Sequence, residues 1–138
     1  NNSVRLSEDS SLKLTGDRTK TILFLKSGTL GSVVKKLQKL SSSYVIKTPT
    51  TVAAIKGTTF FIKVEDKNNT YFCDCYGSID ISDINMKNAQ SLQATHHKAV
   101  RVTKENGTIK IKDAKMLYHM DQDMDKIAAK IGVKIRWK

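Results

Sequence analysis

The sequence predicts an all-β, mainly β domain that ends in one α-helix, and three observations carry that prediction. Between about Ser11 and Ile111 the chain is a succession of short runs rich in Val, Ile, Thr, Tyr and Phe, broken by turn residues, as many short strands require. Apolar residues form a clear stripe at helical spacing only near the end, at Met120, Met124, Ile127, Ala128 and Ile131. A single Pro, Pro49, and seven dispersed Gly leave no linker, so residues 1–138 are expected to form one domain with one core.

In chain order, strands are expected at Leu12 to Leu14, Thr21 to Leu25, Tyr44 to Lys47, Thr51 to Ile55, Thr58 to Val64, Thr70 to Tyr76, Ser78 to Ile81, Ser91 to Ala94, Ala99 to Thr103 and Thr108 to Lys112. Asp66-Lys67-Asn68-Asn69 separates two β-branched and aromatic runs, and because Asn tolerates left-handed backbone it predicts a hairpin. Val33, Val34, Leu37 and Leu40 recur opposite Lys35, Lys36 and Lys39, which suits either a short amphipathic helix or an irregular connection. The terminal helix is expected over about 120–131. Asp121 and Asp123 sit at its dipole-positive start and Gly132 at its stop. Val133, Ile135 and Trp137 then alternate with Lys134, Arg136 and Lys138, as an edge strand would.

The bulk numbers exclude more than they assign. No run approaches the roughly 18–20 apolar residues of a membrane-spanning helix. The formal net charge of +11 favours an acidic partner, an anionic membrane surface or nucleic acid, yet the lysines are scattered, Arg is sparse and no stacking aromatics interleave with them, which argues against nucleic acid. Hydrolytic chemistry lacks its usual parts. There is no G-x-S-x-G elbow, phosphate loop or H-E-x-x-H, and the acids lie in turns or, at Asp121, Asp123 and Asp125, on a solvated helix face.

The chemistry concentrates in cysteine and histidine. The only two cysteines stand as Cys73-Asp74-Cys75 within an expected strand, so both side chains project from one face. A disulfide between them would be strained, because residues two apart on a strand have nearly parallel Cβ vectors. Two buried free thiols are a further option. Two of the three histidines are adjacent, His96-His97, at a strand end or turn, and both can serve one site only if the backbone departs from regularity there. Two thiolates and two imidazoles complete either a tetrahedral Zn²⁺ shell or a [2Fe–2S] cluster of mixed ligation. Geometry separates these: zinc needs four donors converging on one point, whereas a two-iron cluster holds the thiolate pair and the imidazole pair apart. Tyr76, Gly77 and His119 are candidates for the surrounding shell, Gly77 by a close backbone approach and His119 as a spare ligand or a cap.

The run Tyr44-Val45-Ile46-Lys47-Thr48-Pro49-Thr50-Thr51-Val52-Ala53-Ala54-Ile55-Lys56-Gly57-Thr58-Thr59-Phe60 resembles the core motif of the FecR domain, and Gly28-Thr29-Leu30-Gly31 and Tyr76-Gly77 are similar to flanking elements of that family. The likeness covers about residues 12–102. Lys56 stands for the usual Arg, and Cys-Asp-Cys-Tyr-Gly for the usual V-x-E-G. The resemblance implies an extracytoplasmic all-β domain, a twisted β-solenoid or double-stranded β-helix sandwich, located in the bacterial periplasm after removal of a leader. In signalling members the domain relays siderophore status to an anti-sigma apparatus. Three expectations follow. The first is a periplasmic electron carrier with a Rieske-type [2Fe–2S] cluster on Cys73, Cys75, His96 and His97, steered by its basic surface to an acidic redox partner such as a c-type cytochrome. The second is a Cys₂His₂ zinc protein with a structural or regulatory role. The third is a metal-free FecR-type interaction module. None is an enzyme.

Overall fold

The computed structural model describes residues 2–7, 9–17, 19–35 and 43–138. Ten strands and one helix follow in the order β1 (Asn2–Leu6), β2 (Ser11–Gly16), β3 (Lys20–Val34), β4 (Ser43–Lys47), β5 (Val52–Ile55), β6 (Thr59–Asp66), β7 (Asn69–Ser82), β8 (Gln90–Ala94), β9 (Lys98–Glu105), β10 (Thr108–Ala114) and α1 (Asp121–Ala129). The mainly β class with one C-terminal helix is therefore the observed architecture.

Two long strands organise it. β3 pairs through Lys20–Phe24 with β4 and through Gly28–Val33 with β6. β7 pairs through Asn69–Asp74 with β9 and through Gly77–Ile81 with β8. Each thus serves two sheets, one ordered β1-β3-β6-β7-β9-β10 and the other β2-β3-β4-β5-β7-β8. Among the described residues only β3 and β4 run parallel. The pairings β3-β4-β5-β7-β6-β3 close on themselves, and the main core fills the space inside: Leu25, Leu30, Ile46, Phe60, Ile62, Phe72, Ile79, Ile81 and Leu92 are fully buried. The T-P-T segment lines one part of this interior with hydroxyls. Thr50 and Thr70 hydrogen-bond at 2.7 Å and Thr48 and Thr51 at 2.8 Å, so the buried threonines satisfy one another.

A second core lies on the opposite face of the first sheet. Phe61, Tyr71, Cys73 and Cys75 point there, and Met124, Ile127, Ala128 and Ile135 of the C-terminal segment cover them. Burial on both faces explains why Phe60-Phe61-Ile62 is apolar without alternation. Gly31 permits the approach of α1, since a Cβ there would lie 2.8 Å from Ile127 Cδ1. The helix starts with the Met120 N–H donating to the Asp123 carboxylate at 2.8 Å. It ends as the Gly132 and Val133 N–H groups donate to the carbonyls of Ala129 and Ala128, a Schellman pattern.

Several elements differ from expectation. Thr70–Tyr76 and Ser78–Ile81 are one strand that bends. β1 has no counterpart among the expected strands: its five residues are mostly exposed and offer little apolar pattern. Val133, Ile135 and Trp137 form no strand. They pack against the second core as irregular chain. Val33 and Val34 belong to β3. The remainder of the expected 33–40 segment falls largely outside the described residues. Among the described residues no helix is long and apolar enough to cross a membrane.

Candidate metal centre

The site lies beneath the C-terminal segment, on the outer face of the first sheet. β7 supplies the sulfurs. Phe60 pairs with Asp74 and Thr59 with Tyr76, so Cys75 is the extra residue of a β-bulge where β7 passes between sheets. Both thiols stay on the outer side, fully buried, with Sγ atoms 3.6 Å apart and no disulfide. The intervening Asp74 turns the other way. Its Oδ1 accepts from Thr58 Oγ1 at 2.7 Å, while Oδ2 is buried without a partner among the described residues.

Two imidazoles complete the group. His97 Nδ1 lies 3.4 Å from Cys73 Sγ, and His119 Nε2 lies 3.3 Å from Cys75 Sγ. The four donor atoms all fall within 4.8 Å of one another. His97 occupies the β8–β9 turn at φ +53°, anchored by its N–H donating to the Cys75 carbonyl at 3.0 Å. His119 follows Tyr118, which has φ +70°, in the link between β10 and α1. Positive φ costs a non-glycine residue about 1–2 kcal/mol, and two such residues stand at or beside the converging histidines.

Both rings are oriented by their second nitrogen. His97 Nε2 is hydrogen-bonded to the Asp121 carboxylate, and His119 Nδ1 lies 2.8 Å from the Leu117 carbonyl oxygen. A carbonyl only accepts, so His119 donates from Nδ1, and this bond turns Nε2 toward the sulfurs. Phe61 stacks on His119 with centroids 4.3 Å apart, and Trp137 stacks on His97 at 5.0 Å, its Nε1–H donating to Asp125 at 3.1 Å.

The electrostatics separate the two sulfurs and act on His97 as well. A hydrogen bond from the Cys75 thiol, reinforced by His119 and His97, holds the Cys73 thiol far below its ordinary range despite burial. Burial, with the neighbouring Cys73 sulfur, pushes the Cys75 thiol up. Burial opposes charge on His97, but Cys73 and Asp121 outweigh it and raise its pKa.

Cys73, Cys75 and His97 therefore converge as a group, whereas His96 does not join them. Its side chain is 43% exposed and its Nε2 lies 2.8 Å from Asp121, as the regular opposition of neighbouring side chains would have it. His119 takes the fourth place. Asp121, expected on a solvated face, instead joins both adjacent histidines. Its position two residues after His119 is the one sequence signal that could have raised it. Tyr76 packs at the edge of the second core, and the Cα of Gly77 lies tight against Thr58.

The chain belongs to the FecR family, whose model, described as FecR protein, matches residues 1–73. Of the four converging side chains only Cys73 falls within that span. In solved structures the fold is similar to two crystal structures of a candidate anti-sigma factor from Parabacteroides distasonis. The first has a TM-score of 0.63 at 15% identity, covering 81% of this chain and 51% of that one. The second has a TM-score of 0.56 at 11% identity, covering 81% and 60%. The chain thus spans about half of the first protein and three-fifths of the second. No curated protein sequence matches it.

Proposed function

We propose that this chain is an extracytoplasmic signalling module of the FecR type, which acts by contact with partner proteins and performs no catalysis. The match of the FecR model over residues 1–73 carries this reading. The fold shared with structures described as a candidate anti-sigma factor supports it, and the relay in this reading runs toward a sigma-factor regulator. The basic balance, +11 overall, suits acidic protein surfaces among those partners.

Electron transfer through a two-iron cluster fits the donor geometry less well. Such a cluster needs the thiolate pair set apart from the imidazole pair, one pair on each iron. Here each sulfur lies against one imidazole nitrogen, at 3.4 and 3.3 Å, and the pairs interleave. Deleting the coding region in the native host and sequencing the transcripts tests the proposal. A coordinated change in one sigma-factor regulon, restored by complementation, is the expected result. An unchanged transcriptome accompanied by slowed respiratory electron flow would refute it.

A further inference from the structure

We infer that Cys73 Sγ, Cys75 Sγ, His97 Nδ1 and His119 Nε2 bind one Zn²⁺ ion, and that this ion clasps the C-terminal segment, 115–138, onto the sheet. The site does not depend on the signalling reading, because three of its ligands lie beyond the FecR match.

Dimensions argue for it first. With zinc–sulfur bonds of about 2.3 Å and zinc–nitrogen bonds of about 2.0–2.1 Å, a regular tetrahedron has a sulfur–sulfur edge of about 3.8 Å and sulfur–nitrogen edges of about 3.6 Å. The corresponding separations here are 3.6 Å between the sulfurs and 3.4 and 3.3 Å from sulfur to nitrogen. These three edges lie within about 0.3 Å of the tetrahedral values, and all four donor atoms lie within 4.8 Å of one another.

Chemistry argues for it next. Two thiolates cancel the ion's double charge, so the filled site is neutral and suits the buried, apolar position between Phe61 and Trp137. Soft sulfur and imidazole donors exclude Mg²⁺ and Ca²⁺, which take oxygen. Each ligating ring is held by an acceptor on its far nitrogen, Asp121 for His97 and the Leu117 carbonyl for His119, as metal-bound histidines require. Four protein donors leave no open position, which marks a structural ion and not a catalytic one.

Topology supplies the role. The ligands come from β7, the β8–β9 turn and the link before α1, so His119 is the sole point at which the ion grips the C-terminal segment. The helix is nine residues long and buries only Met124, Ile127 and Ala128. A helix this short is marginal without tertiary support, and the ion fixes its first turn.

The test uses the whole chain, stripped of metal by a chelator under reducing conditions and then titrated with Zn²⁺, or with Co²⁺ as a spectroscopic reporter. The expected result is one ion per chain, with thiolate-to-cobalt charge transfer and the intense visible bands of tetrahedral Co²⁺. His119→Gln should abolish that spectrum, Asp121→Asn should weaken zinc binding by about 10–100-fold, and His96→Ala should leave the tetrahedral spectrum in place. Amide exchange over 119–131 in the unmutated protein should slow by roughly tenfold or more on zinc addition, a readout independent of whether any variant folds. Loss of the spectrum in His96→Ala but not in His119→Gln would overturn the assignment. So would failure to bind zinc, or recovery of iron with acid-labile sulfide from protein made in its host. Unchanged exchange over 119–131 would overturn the clasp.

Discussion

Replacing Gly77 by Ala perturbs the point at which β7 leaves one sheet for the other, two residues from the Cys75 bulge. Gly77 has φ +133°, a conformation that costs an L-residue about 1–3 kcal/mol. A Cβ there would also lie 2.5 Å from Thr58 Cβ and Oγ1 and 2.8 Å from Thr58 Cα, so the backbone of Thr58 must move. Thr58 Oγ1 is the partner of Asp74 Oδ1, and losing that bond leaves the buried carboxylate without a donor, a further cost of about 1–3 kcal/mol. Gly77→Ala should therefore destabilise by about 3–5 kcal/mol, a large share of a typical domain's stability. Gly107→Ala is the control: φ is +76° but nothing lies within 4 Å of the added carbon, so only the backbone cost of about 1–2 kcal/mol applies. Urea unfolding of both variants, followed by circular dichroism at fixed metal content, measures the difference. Equal losses within about 0.5 kcal/mol would show that the contact with Thr58 and Asp74 contributes nothing, and would refute the reasoning.

Burial pushes the Asp74 carboxyl up to about 7, so its ionisation costs stability progressively as pH rises from about 4 through 7; Asp74→Asn, which keeps an acceptor for Thr58, should remove that fall, and an unchanged slope over this range would contradict it. Met124→Ala, which empties a fully buried position on α1, should cost about 2–4 kcal/mol of local stability and speed amide exchange in α1 before β7, whereas uniform acceleration would show that helix and sheet unfold as one unit. Glu65 accepts two hydrogen bonds from Arg101, at 2.6 and 2.9 Å, and one from Tyr118, and the Arg101 bonds hold its carboxyl below the ordinary carboxylate range. A depressed folded pKa gives stability that is complete above the unfolded value of about 4.3 and is lost as pH falls through the folded one. With Arg101 38% exposed, the contribution is screened to about 1 kcal/mol or less; Glu65→Gln should flatten stability against pH below about 4.3 and change nothing in its slope above pH 5.

Much of the fold could be read in the chain because period-two patterns and turn residues act locally. Asp66-Lys67-Asn68-Asn69 is the β6–β7 hairpin, with Asp66 opposite Asn69, and Gly132 closes α1 where the apolar stripe stops. The continuity of β7 was not legible, since Gly77 reads as a break unless Thr58 is known to pack against it. β1 escaped because pairing with β3, and not its own sequence, makes it a strand.

The candidate site divides along the same line. Cys73 and Cys75 share a face through the two-residue period, and that much is visible in Cys-Asp-Cys. His97 and His96 are indistinguishable in sequence, and the φ of +53° that turns His97 inward emerges only with the β8–β9 turn in place. His119 is 44 residues from Cys75, and their meeting depends on the C-terminal segment folding back over the sheet. Local patterns supplied the sulfurs, and long-range packing chose the imidazoles.

X-ray absorption on the metal-loaded protein isolated from its own host tests the account most directly. Zinc with two sulfur neighbours at about 2.3 Å and two nitrogen neighbours at about 2.0–2.1 Å, and no second metal nearby, is the expected result. An iron edge with iron–iron scattering, or a zinc shell lacking either sulfur or nitrogen, would contradict it.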